Sequence, residues 1–228
     1  MPLYMYYLTA IPTGAAAGVF CKLAGDRAAR YLLTRRGKTL EQSPVESAVI
    51  CAVTALAGAV VTVTVPFSAE TVFLFLLMIV TETVTLTDLH ERIIPNDAVL
   101  AVLILTLVFG IPSLFGVKGF PEFHIGSSLL GLAGCFIVFS LPAAFSGKVG
   151  AGDVKLAAAA GFCLGIRYSL LCVALMGVLV ICYLIIQKRV PAAAALKSMI
   201  PMGPFLALSM LAVLTAVNVP SVAALITP

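Results

Sequence analysis

The chain has 228 residues, of which 61% are hydrophobic and only 11% charged, with a formal net charge of +4. Soluble domains carry roughly 25% charged residues, so the composition excludes a soluble domain and implies an all-α, polytopic integral membrane protein, a single membrane domain over residues 1–228. The positive excess bears on orientation in the bilayer rather than on nucleic acid, because Trp is absent and no basic arm carries interleaved aromatics.

A membrane span needs ~20 apolar residues, and the sequence supplies about eight candidates. The first covers 3–21, interrupted by Pro12. Ala15, Ala16 and Ala17 look like a leader-cleavage site, but no Lys or Arg precedes them. That order is expected of a retained first helix with its N-terminus outside. A polar stretch over 22–42 reads as a short basic cytosolic loop, with Lys22, Arg27, Arg30, Arg35, Arg36 and Lys38. Spans are expected at 44–65 and 69–87, then a polar connection from Asp88 to Asn96. Pro95 disfavours helix at Ile94 and forces a turn there. Further spans follow at 97–115 and 125–145.

Next comes Ser146-Gly-Lys-Val-Gly-Ala-Gly-Asp153, which holds Gly147, Gly150 and Gly152. Residues without a Cβ permit turns and close approach here. The apolar run from Val154 to Gln187 is divided by Gly161, Gly165 and Arg167. Its first piece, 153–165, is ~20 Å long at ~1.5 Å per residue, against a hydrocarbon core of ~30 Å. Either the bilayer thins there or the glycine loop dips below its surface, and the dipping loop is the favoured reading. The last span is expected at 200–219. With alternating connections, twelve of the fourteen basic residues fall on one side, leaving Lys118 and Arg167 on the other. The positive-inside rule makes the first side cytosolic.

The six cysteines form no C-x-x-C pair and read as buried small apolar side chains. His90 and His124 have no metal-ligand spacing. Among the carboxylates, Asp26, Glu41, Glu70 and Glu122 read as solvated loop charges, and Asp97 as a helix-start cap. Glu82 is the anomaly within a span, serving either a hydrogen bond to a nearby Thr or a site. Asp88 and Asp153 lie at helix ends on the same expected membrane face. Asp153 alone reads equally as a helix cap. Two aspartates held together are the minimum apparatus for acid–base hydrolysis of a peptide bond.

Three segments resemble a known family, the type IV prepilin leader peptidases. Thr87-Asp-Leu-His-Glu-Arg-Ile-Ile-Pro-Asn96 is similar to the family's first-aspartate motif. Lys148-Val-Gly-Ala-Gly-Asp-Val-Lys-Leu156 is similar to its G-x-G-D-x-K motif, and Ile200-Pro-Met-Gly-Pro-Phe-Leu-Ala-Leu208 to its P-x-G-P-[FY] segment. Ser43-Pro-Val-Glu46 resembles the start of the family's second helix. Longer members carry two C-x-x-C pairs between the first two spans; only Thr34 to Gln42, without cysteine, stands here.

The resemblance implies a short-form, GxGD-type aspartic peptidase with a peptidase core over 69–219. It implies Asp88 and Asp153 as the catalytic pair and Gly150, Gly152, Lys155 and Pro95 as support for the substrate and the loop. Lys155 alone reads equally as an interfacial, snorkelling lysine. No metal and no cofactor are expected. The implied partners are prepilins or pseudopilins in the lipid bilayer, cut behind a basic leader at the cytosolic face of a bacterial cytoplasmic membrane. Methyl transfer to the product stays open. So do two other functions: a proton-coupled transporter using Asp88, Asp153 and Glu82, and a non-catalytic paralogue in pilus assembly.

Overall fold

The computed structural model describes residues 3–146, 150–186 and 201–218. Those residues form seven helices: α1 (Leu3–Thr34), α2 (Pro44–Thr64), α3 (Ala69–Glu91), α4 (Asn96–Leu114), α5 (Ile125–Ser146), α6 (Ala151–Ile186) and α7 (Gly203–Val217). Six are long and apolar enough to cross a membrane, and α7 is a shorter apolar helix. The chain is an all-α, multi-pass membrane protein. Residues 147–149, the basic connection at Lys188, Arg189 and Lys197, and 219–228 lie outside the described residues.

Local chemistry sets the helix ends. Ser43 caps α2, its Oγ accepting from the Glu46 N–H at 3.1 Å, with Pro44 in the first turn. α3 stops where Arg92 turns left-handed at φ 52°. Among the described residues it is the only non-glycine with positive φ, and Ile93 to Pro95 then lead into α4.

α6 is a bent rod. Gly165 interrupts it at φ 69°, ψ 170°, a backbone region open essentially to glycine alone. On α5, Cys135 lies against Gly161 before the break and within reach of Ser169 and Cys172 after it. Both arms therefore run along the same stretch of α5, and the chain folds back at Gly165. Counted separately, the two arms give eight helical rods, the number expected from hydropathy. The division expected between Gly161 and Arg167 falls at Gly165.

α3 is the central helix, packed on α1, α4 and α7. Leu74, Leu77 and Val84 enter one apolar core with Val102 of α4, Leu156 and Ala160 of α6, and Met210 of α7.

The expected loop over 22–42 needs correction. Residues 22–34 continue α1, Pro12 does not end the helix, and non-helical backbone begins only after Thr34. Asp26, expected as a solvated loop charge, is 7% exposed and Lys22 is 5% exposed. Their side chains meet at 2.6 Å across one helical turn, and the Lys22 ammonium also donates to Ser47 Oγ at 2.6 Å. Polar residues that would be solvated in a loop are instead satisfied against α2. Glu82 of α3 approaches the same cluster across Gly25. It is 6% exposed, and its Oε1 has no hydrogen-bond partner among the described residues.

Lys22 is the only cation in this buried group. Lys22→Met is expected to destabilise the protein by about 3–5 kcal/mol, because removing one partner leaves buried charge uncompensated. Adding Asp26→Asn and Glu82→Gln to the same chain should recover most of the loss. Thermal melting of the purified protein in detergent checks both; an unchanged midpoint for Lys22→Met would mean that the cluster bears no weight.

Candidate active site

The first aspartate segment ends α3, and its carboxylate is buried: Asp88 is 5% exposed. Its Oδ2 accepts a hydrogen bond from the backbone N–H of Gly203 at 2.8 Å. Gly203 is the first residue of α7. The N–H groups of a first helical turn have no partner within the helix, and the positive end of the helix dipole lies there. An ionised or shared carboxylate is well housed at such a terminus. The charge of Arg92, one turn further along, also reaches Asp88.

The second segment starts α6. Asp153 stands in the first turn, and its Oδ2 accepts from the Gly150 N–H at 3.1 Å. This is the back-reaching half of a capping box, with Gly150 at the N-cap. The carboxylate thus does secure the helix start, but from the third helical position rather than from the cap itself. One oxygen is left over, and Asp153 is only part-buried. It lies within the electrostatic field of Asp88.

Two contacts lock the segments together. A Cβ on Gly152 would lie 3.0 Å from the Ile94 Cβ, so the first turn of α6 rests directly on the bend after α3. Pro95, which makes that bend, is fully buried. Lys155 reaches across to donate to Asn96 Oδ1 at 3.2 Å. Neither Gly150 nor Gly152 has positive φ; for Gly152 the requirement is close approach.

The structure thus brings Asp88, Pro95, Gly150, Gly152, Asp153 and Lys155 to one end of the bundle. Glu82 does not join them, because it faces α1. Three participants escaped the sequence reading. Gly203 stood in a recognised motif, but a backbone N–H leaves no mark in a sequence. Asn96 read only as a neighbour of a cap. Arg92 read as one more interfacial cation, although a positive φ at a non-glycine residue is unusual. The same end is tied to the first turn of α2, through Glu46 with His90 at 2.8 Å, and to the basic connection before α2, through Lys38 with Glu91. Among the described residues, no group of three His, Cys, Asp or Glu side chains is placed to share a metal ion.

Chemically, the arrangement offers two carboxylates in mutual range. One is held by a helix N-terminus and the other is partly open, on a frame that fixes both. No curated protein and no solved structure matches the chain. A family model does: that of the type IV leader peptidase family, over residues 71–185. This stretch is half of the chain and includes both aspartate segments, the bend at Pro95 and the contacts of Gly152 and Lys155. The chain belongs to the type IV leader peptidase family and is a multi-pass membrane peptidase.

Proposed function

We infer that this peptidase is a GxGD-type aspartic endopeptidase that removes the basic leader of type IV prepilin-like proteins at the cytosolic face of the membrane. The observation that carries the reading is the convergence on Asp88 of three segments far apart in sequence. Asp153 comes from the start of α6, Gly203 from the start of α7, and Asp88 from the end of α3.

Two neighbouring carboxylates do not both ionise cheaply, so the pair shares one proton. The ionised member takes a proton from water as the oxygen attacks the scissile carbonyl carbon. The protonated member donates a hydrogen bond to the carbonyl oxygen, stabilising the tetrahedral adduct. A proton then passes to the amide nitrogen, and the C–N bond breaks to give a new carboxyl group and a new amine. Because the pair titrates as a unit, the roles belong to the dyad rather than to either residue. Gly150, Gly152, Pro95 and Lys155 hold the second carboxylate's helix start against the first one's bend.

The orientation follows from the charge asymmetry, with the dyad end cytosolic and both termini of the bundle outside. Single cysteines placed near Arg36 are then accessible to a membrane-impermeant reagent only from the cytosolic side; labelling from outside would reverse the topology. Since the C-x-x-C pairs of longer relatives have no counterpart here, cleavage should persist in chelator. The resulting amino terminus should be unmethylated.

The decisive test is incubation of the reconstituted protein with prepilin peptides carrying a basic leader and a hydrophobic helix. Mass spectrometry should find one cut just after a glycine at the start of that helix. Intact peptide in the presence of folded protein would overturn the reading. Within it, Gly152→Ala should lower cleavage by less than about tenfold, since Ile94 must yield only slightly. Gly152→Val, larger and stiff at χ1, should cost about a hundredfold.

A further inference from the structure

The bundle also holds a cavity away from the dyad. A space of about 680 Å³ lies at the opposite end, between the start of α3, the connection over 119–124, the fold-back of α6 and the end of α7. That volume is in the range of ligand sites, about 300–1,000 Å³. Its walls are mixed. Phe73, Leu164 and Leu214 give apolar surface, while Arg167 and Glu122 stand exposed at its rim. Neither of these two makes an ion pair among the described residues. Glu70 also lines the cavity, with one carboxylate oxygen taken by Asn218 at 2.8 Å. Deeper in, Ser128 lines the same space and is 3% exposed.

These features specify a ligand. One cation and two carboxylates around the same space suit a molecule that carries both charges. Apolar walls at one end of a membrane bundle suit a molecule that also carries hydrocarbon. A purely anionic headgroup would meet two carboxylates against a single arginine. A quaternary ammonium offers no N–H to Glu122 or Glu70, whereas a primary ammonium offers three donors.

We propose that this cavity binds a zwitterionic phospholipid with a primary-amine headgroup. The phosphate pairs with Arg167, the ammonium with Glu122 and Glu70, and an acyl chain lies along Phe73, Leu164 and Leu214. The dyad plays no part in this site, so its occupancy is measured without any cleavage assay.

The test uses the full-length protein reconstituted with equal amounts of ethanolamine, choline and glycerol phospholipids of the same acyl composition. Native mass spectrometry of the released protein reads the retained lipid. The ethanolamine lipid should be retained in roughly fivefold preference, the scale of one charge-assisted hydrogen bond near a water-exposed rim. Glu122→Gln should bring the headgroups to parity and Arg167→Gln should lower retention of all three, while Lys118→Gln, outside the cavity, should leave the preference intact. Equal retention of all three headgroups by the parent protein would reduce the contact to ordinary annular lipid and overturn the proposal. So would an unchanged preference in Glu122→Gln, or undiminished retention in Arg167→Gln. Retention of no lipid would overturn it as well.

Discussion

Asp153→Asn and Asp88→Asn are each expected to reduce prepilin cleavage by about 10³-fold or more, the scale of a lost acid–base group. Both substitutions are close to isosteric, and that makes them informative. In Asp153→Asn the side-chain amide oxygen can still accept the Gly150 N–H that the aspartate accepts at 3.1 Å. Asp88→Asn can likewise keep the Gly203 N–H now held at 2.8 Å. Each variant therefore preserves its structural bond and removes only the ability to hold or pass a proton. Were Asp153 merely securing the start of α6, Asp153→Asn would be nearly normal, and Asp153→Ser would cost no more than a capping change of about 0.5–2 kcal/mol. The dyad reading makes all three inactive while their abundance in the membrane stays at the parent level. It also makes the double variant no worse than either single, because residues that act as a unit are not additive. An active Asp153→Ser enzyme, measured at normal abundance, would remove Asp153 from the chemistry.

What the sequence made legible follows from what hydropathy and motif spacing can encode. Apolar runs with Pro95 and Gly165 punctuating them define the rods, because each feature acts locally on the backbone. Asp88 and Asp153 fall on one face by counting spans alone. The helical residues 22–34 were not legible for a physical reason. Charge in a membrane protein reads as solvated loop until a partner is known, and the partners of Lys22 are Asp26 one turn away and Ser47 on another helix. Glu82 carried a signal, a carboxylate inside a span, but its direction toward α1 rather than toward Asp88 depends on packing. The contacts that bind the two aspartate segments lie lower still in visibility. The bond between Lys155 and Asn96 joins residues 59 apart, and no periodicity announces it. Gly203 lies outside the stretch matched by the family model, residues 71–185, yet it touches the most buried carboxylate of the site.

Gly203 therefore carries the sharpest remaining test. A Cβ at this position would sit 2.8 Å from Asp88 Oδ2 and 3.1 Å from its Cβ and Cγ. The φ of Gly203 is not positive, so the backbone itself accepts any residue and the conflict is purely steric. Asp88 is enclosed by α3 and α7 and cannot swing aside without giving up its N–H partner. Gly203→Ala should lower kcat by about a hundredfold, the usual cost of a misplacement near 1 Å, with KM little changed. Gly203→Val, branched at Cβ, should be lower again. The competing view treats Gly203 as an ordinary first residue of α7. Alanine is a better helix former than glycine by about 1 kcal/mol, so that view expects Gly203→Ala to melt higher and cleave normally. The two accounts thus give opposite signs for activity from a single added methyl group. Placing Gly203→Ala in the Asp88→Asn background separates them further: a positioning role for Gly203 leaves nothing more to lose there. Full activity in Gly203→Ala would detach the start of α7 from the dyad and leave Asp88 held by α3 alone.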